Sequence, residues 1–354
     1  MKKILACVLL SIIISCSNKD EDTQEIKFEN GFFIINSGNY SSGESASIYF
    51  QHYENEQIEK FYFTDVFSLV NDEKIPGFLL DMSISNNKAC ILSRDEYDRL
   101  IITDKLTMQK EKEIILNSSN AIAAFLTSEN VYVVTEDFYL FTININSEEI
   151  TASKKLDALT GIISDIKMFN DKIYFSTNNA FGKVHVIDLK NNLSLISYNI
   201  GPLVNSIIPL EDGIYLSAIK SEFTYDKNEL INPAITHGII KINTTNGNVD
   251  QIVSTGFSYP YNLTYDNGLF LFMQSHDRFH PSDTESRILN KTTWELSDPL
   301  KNLKPTYNPE EFLQLRNSLI YYLTKDSFHL FDLKTDLLRA TVTGSNAKKI
   351  VFLD

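Results

Sequence analysis

His276-Asp277-Arg278-Phe279-His280 sets two imidazoles four residues apart, with a carboxylate and a guanidinium between them. On a helix that spacing would place both rings on one face, where they could hold a metal. Pro281-Ser282-Asp283 follows directly, so the segment reads as loop, and no third ligand accompanies it. A polar loop is the simpler account, although one imidazole could contact a ligand, or a metal within a ligand. No Gly-x-Ser-x-Gly elbow, phosphate-cradling glycine loop or His-Glu-x-x-His is present, so nucleophilic, nucleotide and zinc-protease chemistry lack their usual local frames. No residue is therefore assigned a catalytic or metal-binding role, and no cofactor is expected.

The remaining chemistry-bearing residues are of the kind that recognise rather than react. They are Asn39 and Tyr40, Arg94 and Tyr97, Phe138, Asn179 and Phe181, Phe223 and Tyr225, Tyr259, His276 and Arg278, and Tyr307. All fall in polar stretches between apolar runs, and residues 220–237 and 274–286 form loops longer than a turn needs. Long loops on a rigid scaffold are where function concentrates. Aromatic rings among amides, carboxylates and guanidinium groups suit a large, planar, partly polar small molecule or a sugar chain. The alternative is that these rings simply cover the ends of sheets.

Two cysteines can be placed by their surroundings. Lys2 and Lys3 precede an apolar stretch, Ile4 to Ile14, that is too short to span a bilayer and ends on Ile14-Ser15-Cys16. This pattern resembles a lipobox, which implies an export signal over residues 1–15 and a lipid-modified Cys16 as the new N-terminus. Residues 16–30, with Asp20-Glu21-Asp22 near their start, have little to bury and read as a disordered acidic tether. Cys90, inside Ala89-Cys90-Ile91-Leu92, reads as an inert core thiol.

The elements that must position these loops are strands. Ile, Phe, Tyr and Val recur in short runs broken by Asn, Asp, Gly and Ser, with no long amphipathic helix. One run repeats as Phe32–Ile35, Ala89–Leu92, Val131–Val134, Ile173–Phe175, Ile214–Leu216, Leu269–Phe272 and Leu319–Tyr322. A following run repeats as Leu100–Asp104, Leu140–Ile143, Val184–Leu189, Gly238–Ile242 and Phe328–Leu333. Asp104, Asp188 and Asp332 close three of these and read as turn-makers that bind their own backbone. The expectation is an all-β, seven-bladed β-propeller of four-stranded blades over residues 31–354. Gly31-Phe32-Phe33 matches a second strand and Ala347–Leu353 a first strand, so the C-terminal strand should close the ring in blade one.

Gly31 to Tyr40 followed by Ser45-Ala46-Ser47-Ile48-Tyr49-Phe50 resembles the opening segment of Bacteroidetes surface lipoproteins with a YncE-type seven-bladed propeller. The acidic run after Cys16 is similar to the surface-export signal of such lipoproteins. Some members of the group are encoded beside TonB-dependent outer-membrane transporters, and one branch captures cobalamin for such a transporter. The resemblance implies an outer-membrane, surface-exposed lipoprotein that captures a nutrient, with a corrinoid as one possible ligand and a transporter as partner.

Lys and Arg number 32 against 46 Asp and Glu, a formal charge of −14, which argues against nucleic acid and against adhesion to anionic lipid. No segment after residue 16 is apolar enough for a membrane span, so the lipid is the only membrane anchor implied. Three readings stand: a non-catalytic ligand-capture lipoprotein, a metal-dependent hydrolase or lactonase on the same scaffold, and a protein-interaction scaffold. Fold alone does not decide among them.

Overall fold

The computed structural model describes residues 26–38, 44–52, 64–116, 120–156, 159–179, 182–201, 203–219, 237–256, 259–275, 284–303, 312–324, 327–335, 337–343 and 347–353. Seven antiparallel sheets follow one another around a ring. Blade two is Phe78–Ser85, Lys88–Arg94, Asp98–Asp104 and Lys110–Leu116. Blade three is Ala121–Leu126, Asn130–Thr135, Tyr139–Asn144 and Glu149–Lys155. Blade four is Ile162–Phe169, Lys172–Asn178, Gly182–Asp188 and Ser194–Gly201, and blade five is Leu203–Leu210, Gly213–Ile219, His237–Ile242 and Val249–Gly256. Blade six holds Tyr259–Asp266, Leu269–Ser275 and Thr284–Asn290, and blade seven holds Phe312–Arg316, Leu319–Leu323, Ser327–Asp332 and Leu337–Thr343. Within each blade the first strand lies nearest the ring axis.

Second strands are buried on both faces because each blade packs against a neighbour on either side. They therefore read as continuous apolar runs rather than alternating ones, and Gly213–Ile219 is buried throughout. Fourth strands lie at the rim, where Glu149–Lys155 is almost wholly exposed. The third strands end as the sequence suggests. Asp104 Oδ1 accepts the backbone N–H of Leu106 and of Thr107 at 2.9 Å. Asp188 repeats this with Lys190 and Asn191, and Asp332 with Lys334 and Thr335. Asn144, Asn243 and Asn290 make the same kind of turn in blades three, five and six.

Blade one closes the ring. Its first strand is the C-terminal Ala347–Phe352, paired antiparallel to Gly31–Asn36, which pairs in turn with Ser47–His52. Phe32, Tyr321, Phe328 and Phe352 form one aromatic cluster across the join to blade seven, with centroids 5.0–6.4 Å apart. The Arg316 guanidinium lies 4.4 Å from the Phe352 ring centroid. Only three ladder strands stand in blades one and six among the described residues. In blade six the fourth place is taken by irregular chain. Ser297 N–H donates to Ile288, Leu300 N–H donates to Ser286, and Ser297 Oγ accepts from the Ile288 N–H. Pro299 cannot donate, which breaks a regular ladder there. In blade one the short helix Val66–Asn71 buries Val66 and Phe67, and Asp65 bridges to Tyr49.

One device ties successive blades near the axis, where each first strand is an edge with outward N–H groups. Asp81 Oδ2 accepts from Ala124 in the next blade at 3.1 Å, and Asp165 Oδ2 from Ile207 at 2.8 Å. Ser206 Oγ accepts from Leu263 and Thr264 Oγ1 from Leu315, both at 3.2 Å. Asp81 and Asp165 also use Oδ1 to accept the N–H of their own following residue. These two carboxylates occur where the preceding blade supplies no such acceptor. A hydroxyl suffices in blades five and six, where it does.

Candidate functional site

The loops between second and third strands and the links between blades share one mouth of the ring. In blade two, Arg94 Nε donates to Asp98 Oδ1 at 2.6 Å and Arg94 Nη2 to the Ala121 carbonyl at 2.7 Å. The Ala121 N–H returns a bond to Asp98 Oδ2 at 2.8 Å. Asp98 is 0 % exposed, so this fork fastens the loop to the link that enters blade three. Gly77, at φ +66°, ends the link into blade two. A Cβ there would stand 1.9 Å from the Arg94 carbonyl oxygen, so only glycine fits.

Next to the fork, Arg99 grips Asp95 through Nε and Nη2 and reaches Glu113 with Nη1 at 2.7 Å. The guanidinium hydrogen bonds hold Asp95 below the ordinary carboxylate range. Asp95 Oδ1 also accepts the Tyr97 N–H at 3.1 Å, which sets a turn that leaves the Tyr97 side of the loop outward. Tyr97 is 49 % exposed and is the ring this loop offers to solvent.

The other described residues of the expected site lie around the same mouth. Phe138 sits at φ +63° in the blade-three loop and packs on the cluster shared with blade four. Its carbonyl accepts the Leu156 N–H at 2.9 Å and so steadies the next link. Asn179 is exposed beside Gly161, where blade four begins. Tyr259 stacks at a tilt on His237, ring centroids 4.6 Å apart, joining blades five and six. Asn39, Tyr40, Phe181, Phe223, Tyr225, His276, Arg278 and Tyr307 lie outside the described residues, as do Cys16 and the segment 1–25. Among the described residues no group of three His, Cys, Asp or Glu side chains is placed to hold a metal ion.

His185, on the third strand of blade four, is buried with both ring nitrogens engaged. Nε2 lies 2.9 Å from Thr177 Oγ1 and Nδ1 lies 2.8 Å from Ser197 Oγ. Burial pushes its pKa down to about 4, so the ring is neutral at neutral pH and serves the blade interior.

Along the axis, first strands of blades four to seven enclose a cavity of about 460 Å³. Its polar lining includes Ser164, Asp165 and Lys167, Asn205, Asn262 and Gln314. Lys167 Nζ lies 3.0 Å from Asp165. That charge raises the Lys167 pKa, and Asp81 in blade two adds a smaller pull. Lys349 on the closing strand donates to Asp81 Oδ1 at 2.6 Å. The channel thus carries charges of both signs, already paired, with amides between them. The loop-centred sequence reading missed these residues. Their signal is a polar residue inside an otherwise apolar first strand, as in Leu79-Leu80-Asp81-Met82.

A family model described as a domain of unknown function, DUF5074, matches residues 30–276. No curated protein matches the chain. The crystal structure of BamB from Moraxella catarrhalis is similar at 14 % identity and a TM-score of 0.48, over 87 % of this chain and 87 % of that one.

Proposed function

The chain belongs to the DUF5074 family, and we propose that it is a non-catalytic, lipid-anchored protein of the cell envelope that captures a ligand at the mouth of its propeller. The observation that carries this reading is the set of tied loops around the mouth, with an axial cavity of about 460 Å³, lined by side chains of four blades, running beneath them toward the other face. That volume is within the roughly 300–1,000 Å³ typical of small-molecule sites. Exposed Tyr97 stands on a rigidly tied loop at the mouth, ready to cover a flat ligand face without an ordering cost. The lipobox pattern ending at Cys16 supports attachment to a membrane, and the acidic residues after it support the cell surface. The resemblance of Gly31–Phe50 to surface lipoproteins with YncE-type propellers adds the partner, a TonB-dependent outer-membrane transporter, and a corrinoid or other large nutrient as cargo.

Calorimetry of the purified protein against corrinoids, haem and a glycan panel tests the reading. Saturable heat with one class is expected, weakened roughly tenfold in Tyr97→Ala, as for loss of an aromatic anchor. Absence of heat with all three classes would remove the reading.

A further inference from the structure

The first-strand latches do not run all the way round. They join blades two to three, four to five, five to six and six to seven. Those first strands pack closely, whereas those of blades three and four make little contact. Ala123 follows the bulge of its strand as Asp81 and Asp165 follow theirs, but it has no acceptor to offer blade four. The join between blades one and two also lacks a latch, and there Lys348 and Lys349 reach across to Leu80, Asp81 and Met82. No such bridge fills the gap between the first strands of blades three and four among the described residues. A second cavity of about 460 Å³ opens there instead, lined by Ile122, Glu136, Gly161, Ile162, Ile163 and Ile166, with Ser164 and Asp165 shared with the channel.

The cleft has a definite chemical character. Ile162 is 76 % exposed, the most of any large apolar residue described. Gly161 at φ +107° turns the link against Asn178, so Ile162 is presented at the start of the strand, while half-buried Ile163 packs on the core shared by blades three and four. Glu136 is exposed on the opposite side, held by its N–H to the Asn120 carbonyl at 2.8 Å, and no cation among the described residues pairs with it. Asp165 is already taken by Lys167, Ile166 and Ile207. From the missing latch, the exposed Ile162 beside half-buried isoleucines and the unpaired carboxylate we infer that the seam between blades three and four is a binding site for a small amphiphilic cation. Its apolar body would lie on Ile122, Ile162 and Ile163, and its ammonium group would face Glu136. The site lies on the rim of the same mouth, but it takes a ligand of different chemistry and stands whether or not the ring takes up a nutrient.

Dansylcadaverine, an apolar ring with a primary ammonium tail, is the probe, and dansylglycine carries the same ring with a carboxylate. Both are titrated into the chain from residue 16 carrying Cys16→Ser, so that no acyl group takes up dye. Dansylcadaverine should bind saturably with blue-shifted emission, and dansylglycine more weakly. Ile162→Ser should weaken dansylcadaverine roughly tenfold through lost apolar burial. Glu136→Gln should weaken it roughly two- to fivefold, as an exposed ion pair contributes, without weakening dansylglycine. Both positions are exposed, and an unchanged melting temperature confirms that the variants fold. No saturable binding, or unchanged affinity in both variants, overturns the inference. A protein silent toward corrinoids, haem and glycans would still bind the dye here, so the two readings fail separately.

Discussion

Arg94 and His185 show how a polar side chain can serve the scaffold. Arg94, a candidate ligand contact, commits two of its nitrogens to Asp98 and to the Ala121 carbonyl. Asp98→Ala would leave the guanidinium and the Ala121 N–H without their buried partner. Chemical denaturation should show a loss of about 3 kcal/mol, as for breaking one side of a buried pair. His185 makes a pH prediction. Its folded pKa of about 4 lies below the ordinary 6.5, so the unfolded chain takes up the proton first. The contribution is complete above 6.5 and is lost as pH falls from 6.5 through 4. Over that window stability should drop by up to about 3 kcal/mol. His185→Gln should flatten this slope, whatever its own stability at neutral pH.

Turns and strands are legible at short range in a way that latches are not. Asp104, Asp188 and Asp332 announce their turns because an Asx side chain reaches only two or three residues along its own chain. Apolar runs of second strands mark the repeat because burial on both faces removes the alternation that a half-exposed strand would show. The latches join residues 42 to 57 positions apart and depend on a bulge that no local pattern reveals. Their strengths should differ with chemistry. Asp165 serves two backbone N–H groups and Lys167, whereas Ser206 serves one N–H. Urea unfolding should place Asp165→Ala about 3 kcal/mol below the parent and Ser206→Ala about 1 kcal/mol below.

The whole ring depends on a strand supplied by the far end of the chain. Ala347–Phe352 covers the edge of Gly31–Asn36, and Phe352 completes the aromatic cluster with blade seven. Deletion of residues 345–354 should therefore expose a ladder edge and lower the melting temperature of the whole body, not fray one blade. An unchanged thermal transition in the truncated chain would show that the closure does not bear stability. The same ring geometry explains why charge balance alone was uninformative about a ligand. The chain carries −14 overall, yet its axis pairs Lys167 with Asp165 and Lys349 with Asp81.

Period, turn chemistry and closure were determined by the sequence by itself, because burial patterns and Asx turns act within a few residues. The opening Gly31–Ile35 and closing Ala347–Phe352 runs could be matched to strand positions for the same reason. Tertiary structure decided which polar groups are already spent and which stay free. Arg94 is fastened while Tyr97, three residues on, is exposed. It also decided that one seam of the ring opens, where Ala123 has no acceptor to offer a partner in another blade. Such pairings are set by the stacking of blades, and no window of sequence contains both partners.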